Sequence, residues 1–294
     1  MTSQTRDRLP LEQWGRRLLA RIQAQSDRTR LGRWAFEFLM FGLKQGWACL
    51  FGAIMLALLF GTNLVWPKHA PVARYDFLVG AALVVQVAML RLKLESWEEA
   101  KVILVFHIVG TVMEVFKTHV GSWIYPEPSL LRIGGVPLFS GFMYASVGSY
   151  IARVWRIFRF NFDRYPPSWS VWLLAAGAYA NFFLDHWKID LRDELFALAA
   201  VVFWRTWVCF TADRVRRRMP LLIGLALVSS FIWFAENIGT FSRAWLYPAQ
   251  AHAWALVGPQ KIGSWFLLTV ISFALVALVH RPERAAAPAL QPAQ

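Results

Sequence analysis

Eight long apolar runs restrict what this chain of 294 residues can fold into. They cover residues 47–65, 77–92, 100–120, 136–154, 168–187, 195–210, 219–240 and 262–280. A helix that crosses a bilayer needs about 20 mostly apolar residues, and the runs approach or meet that length. Sixteen Trp are present, many at run ends (Trp47, Trp66, Trp97, Trp123, Trp155, Trp187, Trp245). That is where aromatic belts form at the lipid–water interface. The runs do not alternate with period two, which argues against a transmembrane barrel. The pattern predicts an all-α polytopic membrane helical bundle with about eight transmembrane helices.

Composition supports the same class. Hydrophobic residues make up 57% and charged residues 17%, and the mean hydropathy is +0.41. A soluble domain carries roughly 25% charged residues. Cys49 and Cys209 both fall within apolar runs, so no disulfide framework is expected. Residues 1–46 read as a basic cytoplasmic segment with an amphipathic helix near 31–46. No cleavable signal peptide is evident there. Residues 281–294 read as a disordered Ala/Pro-rich tail.

A net charge of +13 would by itself suggest nucleic acid. Its distribution says otherwise. With eight spans, the N-terminal segment, the even-numbered loops and the tail hold 22 Lys and Arg, and the other loops hold eight. The positive-inside rule then places both termini in the cytoplasm of a bacterial cell, with the bundle in its inner membrane. The outer side carries eight acids against its eight bases, so the whole surplus of charge lies inside. Membrane lipids are the expected partners, and no nucleic acid is.

The chain also repeats itself. At a constant offset of 122, Glu114, Thr118, Trp123, Tyr125, Pro126, Pro137 and Gly141 match Glu236, Thr240, Trp245, Tyr247, Pro248, Pro259 and Gly263. Seven identities in 28 positions exceed the roughly two expected by chance. Upstream, at an offset of 118, Asn63 matches Asn181 and Asp76 faces Glu194. The predicted units are two four-helix repeats, residues 47–164 and 165–280. An even number of spans per unit makes them parallel, related by a pseudo-twofold axis along the membrane normal.

Glu114 and Glu236 are the candidate catalytic residues, with His107 as a polar partner. An ionised group at mid-bilayer costs at least about 2.5–3.5 kcal/mol, so an intramembrane acid marks a site by default. At 100° per residue His107, Thr111, Glu114 and Thr118 share one helix face, and Trp233, Glu236 and Thr240 share the equivalent one. Thr111, Thr118, Trp123, Tyr125, Trp233, Thr240, Trp245 and Tyr247 are the expected substrate-binding residues. Two carboxyls in one apolar site can divide into a general acid and a charge stabiliser, which suits protonation of an alkene. The reading is an enzyme acting on a lipid or isoprenoid-like, carotenoid-like substrate, with an apolar lipid as ligand. A proton-coupled small-solute transporter and a structural membrane protein are the alternatives. A metal site at His107, Glu114, His119, Asp185, His186 and Glu236 is a further alternative, but no HExxH-like spacing supports it. Cofactor and oligomeric state stay open.

The stretch HIVGTVMEVFKTHVGSWIYPEPSLLRIGGVPLFSGFMYASVGSYIARVWR, from His107 to Arg156, resembles the core of the DUF817 family of bacterial integral membrane proteins. That resemblance extends over most of the chain past residue 30 and implies a membrane location without an activity. More loosely, Glu114, Gly121, Trp123, Tyr125 and the Gly-Val-Pro at 135–137 are similar to a pattern in membrane carotenoid hydratases and small lycopene cyclases. This second similarity implies a long isoprenoid as substrate. The acidic pairs of the cyclases are absent here.

Overall fold

The computed structural model describes residues 21–67, 69–187 and 189–282. Positions 1–20 of the N-terminal segment and 283–294 of the expected tail lie outside the described residues. Helix α1 (Arg30–Ala48) starts at Thr29, whose side chain accepts from the Gly32 N–H at 3.0 Å. It covers the amphipathic stretch and gives way at Cys49 to α2 (Leu50–Val65), with a bend of 64° between them. Helices α3 (Arg74–Arg91) and α4 (Trp97–His119) follow. A capping box formed by Ser96 and Glu99 fixes the start of α4. A short hairpin, β1 (Arg132–Ile133) and β2 (Val136–Pro137), turns through Gly134 and Gly135, both at positive φ. Such a two-residue turn matches the twist of its strands.

The rest of the bundle is α5 (Phe139–Ile157), β3 (Asn161–Asp163), α6 (Ser168–Leu184), α7 (Arg192–Phe203), β4 (Trp207–Thr211), β5 (Arg216–Pro220), α8 (Leu221–Phe241) and α9 (Lys261–Val279). Each of the eight apolar runs therefore carries a helix. α4 and α5 form the most closely packed pair. α9 runs through the interior, against α4, α5, α6, α7 and α8. Its residues from Leu267 to Ala274 are all buried. The core joins them to Phe106, Trp155, Phe162, Leu174 and Phe203.

Two helices are long and apolar enough to cross a membrane, α8 with a mean hydropathy of 1.8 and α9 with 2.4. The bent pair α1–α2 adds a third if it counts as one span. These helices mark the chain as a membrane protein.

The structure corrects two expectations. The run at 195–210 is not one span: α7 has 12 residues, a length of roughly 18 Å against a hydrocarbon core of about 30 Å. Beyond it Trp207, Val208, Phe210 and Thr211, residues that favour strands, pair with Asn161–Asp163 on one side and Arg216–Pro220 on the other. Apolar content alone does not separate a short buried strand from a helix. The bundle is accordingly mostly helical rather than all-α, with two small sheets. Arg216, Arg217 and Arg218 lie on β5.

Candidate functional site: two carboxylates caged by aromatic donors

The site forms where the chain leaves α4 and α8. After α4 the Ser122 N–H returns to the Lys117 carbonyl at 2.9 Å. After α8 the Ala244 N–H returns to Gly239 at 3.0 Å. The two Trp-x-Tyr-Pro segments then run antiparallel. Ile124 donates to the Leu246 carbonyl and Leu246 donates to the Ile124 carbonyl, both at 2.9 Å.

Glu114 and Glu236 lie beneath this pairing, 4% and 3% exposed. Glu114 Oε2 accepts from Trp123 Nε1 at 2.7 Å and from the Tyr125 hydroxyl at 2.6 Å. Glu114 Oε1 accepts from the Tyr144 hydroxyl on α5 at 2.5 Å. Glu236 Oε1 accepts from the Tyr247 hydroxyl, and Oε2 from Trp265 Nε1 on α9 at 2.6 Å. An indole N–H can only donate, so these carboxyl oxygens are acceptors. The two cages adjoin, with the Trp123 and Tyr247 rings edge to face at 6.1 Å. Burial, and after it the adjoining carboxylate, holds the Tyr125 and Tyr247 hydroxyls well above the ordinary tyrosine range. Both stay donors at neutral pH.

The neighbouring chain fixes this lattice. Arg74, at the start of α3, forms an ion pair with Glu127 at 2.6 Å and donates to the Ser242 carbonyl at 3.1 Å. The Tyr75 hydroxyl donates to the Ala244 carbonyl at 3.1 Å. Thus α3 of the first half holds the segment that follows α8 in the second. Tyr144 reaches Glu114 because α4 carries Gly110 at the crossing: a Cβ there would stand 2.7 Å from the Tyr144 ring.

The remaining expected residues are dispersed around the cages. His107 lies two turns back on α4, its ring 4.7 Å from that of Phe142 and pressed against Gly141, not on the carboxylate. Thr111 donates to its own helix at the His107 carbonyl, 2.7 Å away. Thr118 Oγ1 is buried without a hydrogen bond. Trp233 donates to the Val257 carbonyl at 2.9 Å. Thr240 donates to the Asn237 carbonyl and accepts from Trp254 Nε1, both at 3.2 Å. The Trp245 ring lies over Gly239. His119 is exposed, and His186 packs edge-on to Phe116. Among the described residues no three His, Cys, Asp or Glu side chains converge as a metal site would require.

Sequence reasoning missed Tyr144 and Trp265. They play equivalent parts on α5 and α9 but stand 121 residues apart, so a comparison at a constant offset passes over both. It also missed a second charge cluster at the opposite ends of α4 and α5. Glu99 pairs with Arg156 at 3.1 Å, with His280 at 4.0 Å. Glu95 accepts from Ser149 and, at 2.6 Å, from Gln86. Arg153, fully buried, donates to the Trp47 carbonyl at 2.8 Å. The 15 residues from Glu99 to Glu114 put the two clusters roughly 22 Å apart along α4.

An uncharacterized protein, YoaT, of Bacillus subtilis (strain 168) is 44% identical over 241 residues, which cover 82% of this chain and 90% of the relative. No solved structure matches. The family described as "Protein of unknown function (DUF817)" matches residues 37–273, both caged carboxylates included, and the chain belongs to that family.

Proposed function

We propose that the protein is a proton-coupled membrane transporter of a small solute, with an outer entrance latched shut by Glu114 and Glu236. One observation carries the reading: both buried carboxylates serve as acceptors for donors on the two segments that close this end of the bundle. A proton on a carboxyl oxygen takes one of its lone-pair sites and removes the charge that strengthens each hydrogen bond it accepts. Each proton bound therefore weakens the hold of the carboxyl on these donors. The segments are paired through Ile124 and Leu246, so they loosen together. The cluster of Glu95, Glu99, Arg153 and Arg156 would close the inner end of the same two helices.

Two parallel repeats and cytoplasmic termini in a bacterial inner membrane are supported by the helices of the apolar runs, with the short α7 and the strand β4 in place of a sixth full-length span, and by the basic residues concentrated at one end. The pairing of Ile124 with its counterpart 122 residues on supports a local twofold. Paired acids between parallel repeats fit a transporter.

An isoprenoid-directed enzyme needs a cavity at the acids, and ligand pockets hold about 300–1,000 Å³. The void beside Tyr144 holds about 10 Å³, room for about one water. Its wall of Phe106, Val109, Met113, Leu268 and Ile271 is apolar right up to Tyr144. That wall supports the enzyme as a second reading, should the seam between α4, α5, α6 and α9 open around a lipid chain.

The test uses the full chain in proteoliposomes on a solid-supported membrane, under a proton gradient. Amino acids, sugars, carboxylates and amines are perfused in turn. One class should draw a proton-linked current, lost in Glu114→Gln and Glu236→Gln proteins that keep the helical circular dichroism of the wild type. No current with any class overturns the transporter. Conversion of an isoprenoid added to the same vesicles favours the second reading.

A further inference from the structure

The other end of the bundle carries a surface that none of the above uses. Helix α1 turns aside from α2 by 64° at Cys49, which removes it from the direction of the following span. Its residues Glu37, Phe41, Lys44 and Ala48, spaced as one helical stripe, dock on the bundle. Glu37 meets Arg217 at 3.3 Å. Phe41 packs on the rings of Phe158 and Phe210 at 5.4 and 6.0 Å. Lys44 donates to the Thr211 carbonyl at 3.3 Å. The face turned away is apolar and open: Leu31 is 80% exposed and Phe38 76%, with Leu39, Leu43 and Trp47 beside them.

The β4–β5 hairpin that receives α1 is strongly basic. Residues 205–218 hold five arginines (Arg205, Arg214, Arg216, Arg217 and Arg218) and one acid, Asp213. Arg205, Arg214, Arg216 and Arg218 are exposed, as are Arg28, Arg30 and Arg33 around the start of α1. Three arginines lie over indole rings: Arg217 on Trp34 at 4.2 Å, Arg218 on Trp207 at 5.1 Å and Arg205 on Trp204 at 5.4 Å. Tryptophan favours the headgroup depth of a bilayer. An amphipathic helix with an open apolar face and basic flanks rests in that layer with its axis in the membrane plane.

We infer that α1 and the β4–β5 hairpin form a binding surface for anionic phospholipid headgroups. Leu31, Phe38, Leu39 and Leu43 enter the acyl boundary, and Arg205, Arg216 and Arg218 take the phosphates. The charge complementarity selects the occupant: a protein partner would leave the apolar face at the wrong depth, and a neutral lipid would leave the arginines unmatched. The inference does not depend on proton coupling at the two glutamates.

The test purifies the full chain from membranes and exposes it to nanodiscs of mixed phosphatidylcholine and phosphatidylglycerol. Native mass spectrometry then counts the lipids retained. The wild type should enrich phosphatidylglycerol, with a preference that weakens at high salt because exposed charges are screened. Each basic residue near an anionic surface changes the partition roughly fivefold, so Arg205→Gln/Arg216→Gln/Arg218→Gln should abolish the enrichment. Phe38→Ser should lower total retention of both lipids. Equal retention of the two lipids by the wild type, or unchanged enrichment in the triple variant, overturns the inference. So does displacement of the bound lipid by inorganic phosphate, which would mark a free-anion site in place of a headgroup surface.

Discussion

Ile124 and Leu246 exchange both main-chain hydrogen bonds, each at 2.9 Å, and stand 122 residues apart, the offset that relates the two glutamates. A reciprocal pair of this kind has a local twofold axis at its centre. Glu114 on α4 accepts from Trp123 and Tyr125, and Glu236 on α8 accepts from Tyr247, donors carried by the two paired segments, so a movement of one segment is transmitted to the other. The pairing ties the two halves of the sequence together at the end where their carboxylates lie.

Locking this pair should lock the latch. A hydrogen-bonded antiparallel pair has its Cα atoms about 5.5 Å apart, within the usual range for a disulfide. Ile124→Cys/Leu246→Cys, made with Cys49 and Cys209 replaced by Ala, should oxidise readily, as measured by loss of thiol labelling. The oxidised protein should melt at a higher temperature and draw no proton-linked current, and reduction should restore the current. An oxidised protein that transports normally would rule out opening of these segments as part of the cycle.

The two carboxylates should differ in what their removal costs. Glu114 accepts from three donors and Glu236 from two. An amide keeps one acceptor oxygen and turns an NH₂ toward donors. Hydrogen bonds to charged groups contribute about 1.5–3 kcal/mol each. Glu114→Gln should therefore destabilise by about 3 kcal/mol or more, and Glu236→Gln by about 2 kcal/mol. Thermal unfolding in detergent reads the order. The reverse order would mean that the donor count does not set the energetics.

Much of this was legible in the sequence, and the rest was hidden for identifiable reasons. The eight runs all contain helices because a helix satisfies its own backbone groups within an apolar stretch. The run at 195–210 misled because Trp207–Thr211 is as apolar as a helix but finds antiparallel strand partners 44 to 48 residues before it in Asn161–Asp163 and 5 to 13 residues after it in Arg216–Pro220. Glu114, Trp123 and Tyr125 were visible as a repeated unit, and they meet in space. Trp123 and Trp245 match in sequence yet differ in use, for Trp123 holds Glu114 while Trp265, from α9, holds Glu236. Glu95 and Glu99 lie in sequence between two apolar runs, where nothing marks them as interior, and only packing of α4 on α5 buries them.

Two glycine substitutions should act in opposite directions. A Cβ at Gly110 meets the Tyr144 ring at 2.7 Å, too close for either to remain in place. Gly110→Ala should destabilise by about 1–3 kcal/mol and push the Tyr144 hydroxyl off Glu114. Combined with Tyr144→Phe, the two losses should overlap by at least about 0.5 kcal/mol, since both remove the same hydrogen bond. Gly80 on α3 has nothing within 4 Å of its Cβ position. Gly80→Ala should stabilise by about 0.5–1 kcal/mol through helix propensity. Melting temperatures of the four proteins decide it, and equal shifts at the two glycines would refute the close approach.

The tyrosines give the cages a signature at alkaline pH. Tyr125 and Tyr247 are held well above the ordinary range in the folded protein, whereas in the unfolded chain a tyrosine titrates near 10. As pH rises through about 10 the unfolded state loses these protons first, so unfolding is favoured. The contribution of both hydroxyls is thus fully present below about pH 10 and declines above it, up to the folded values. Melting temperature should be flat on this account from neutral pH to about 9 and fall beyond 10. Tyr247→Phe should start lower, because Glu236 loses the Tyr247 donor, and should fall less steeply. A variant whose alkaline slope equals that of the wild type would mean that the Tyr247 hydroxyl is already ionisable in the fold.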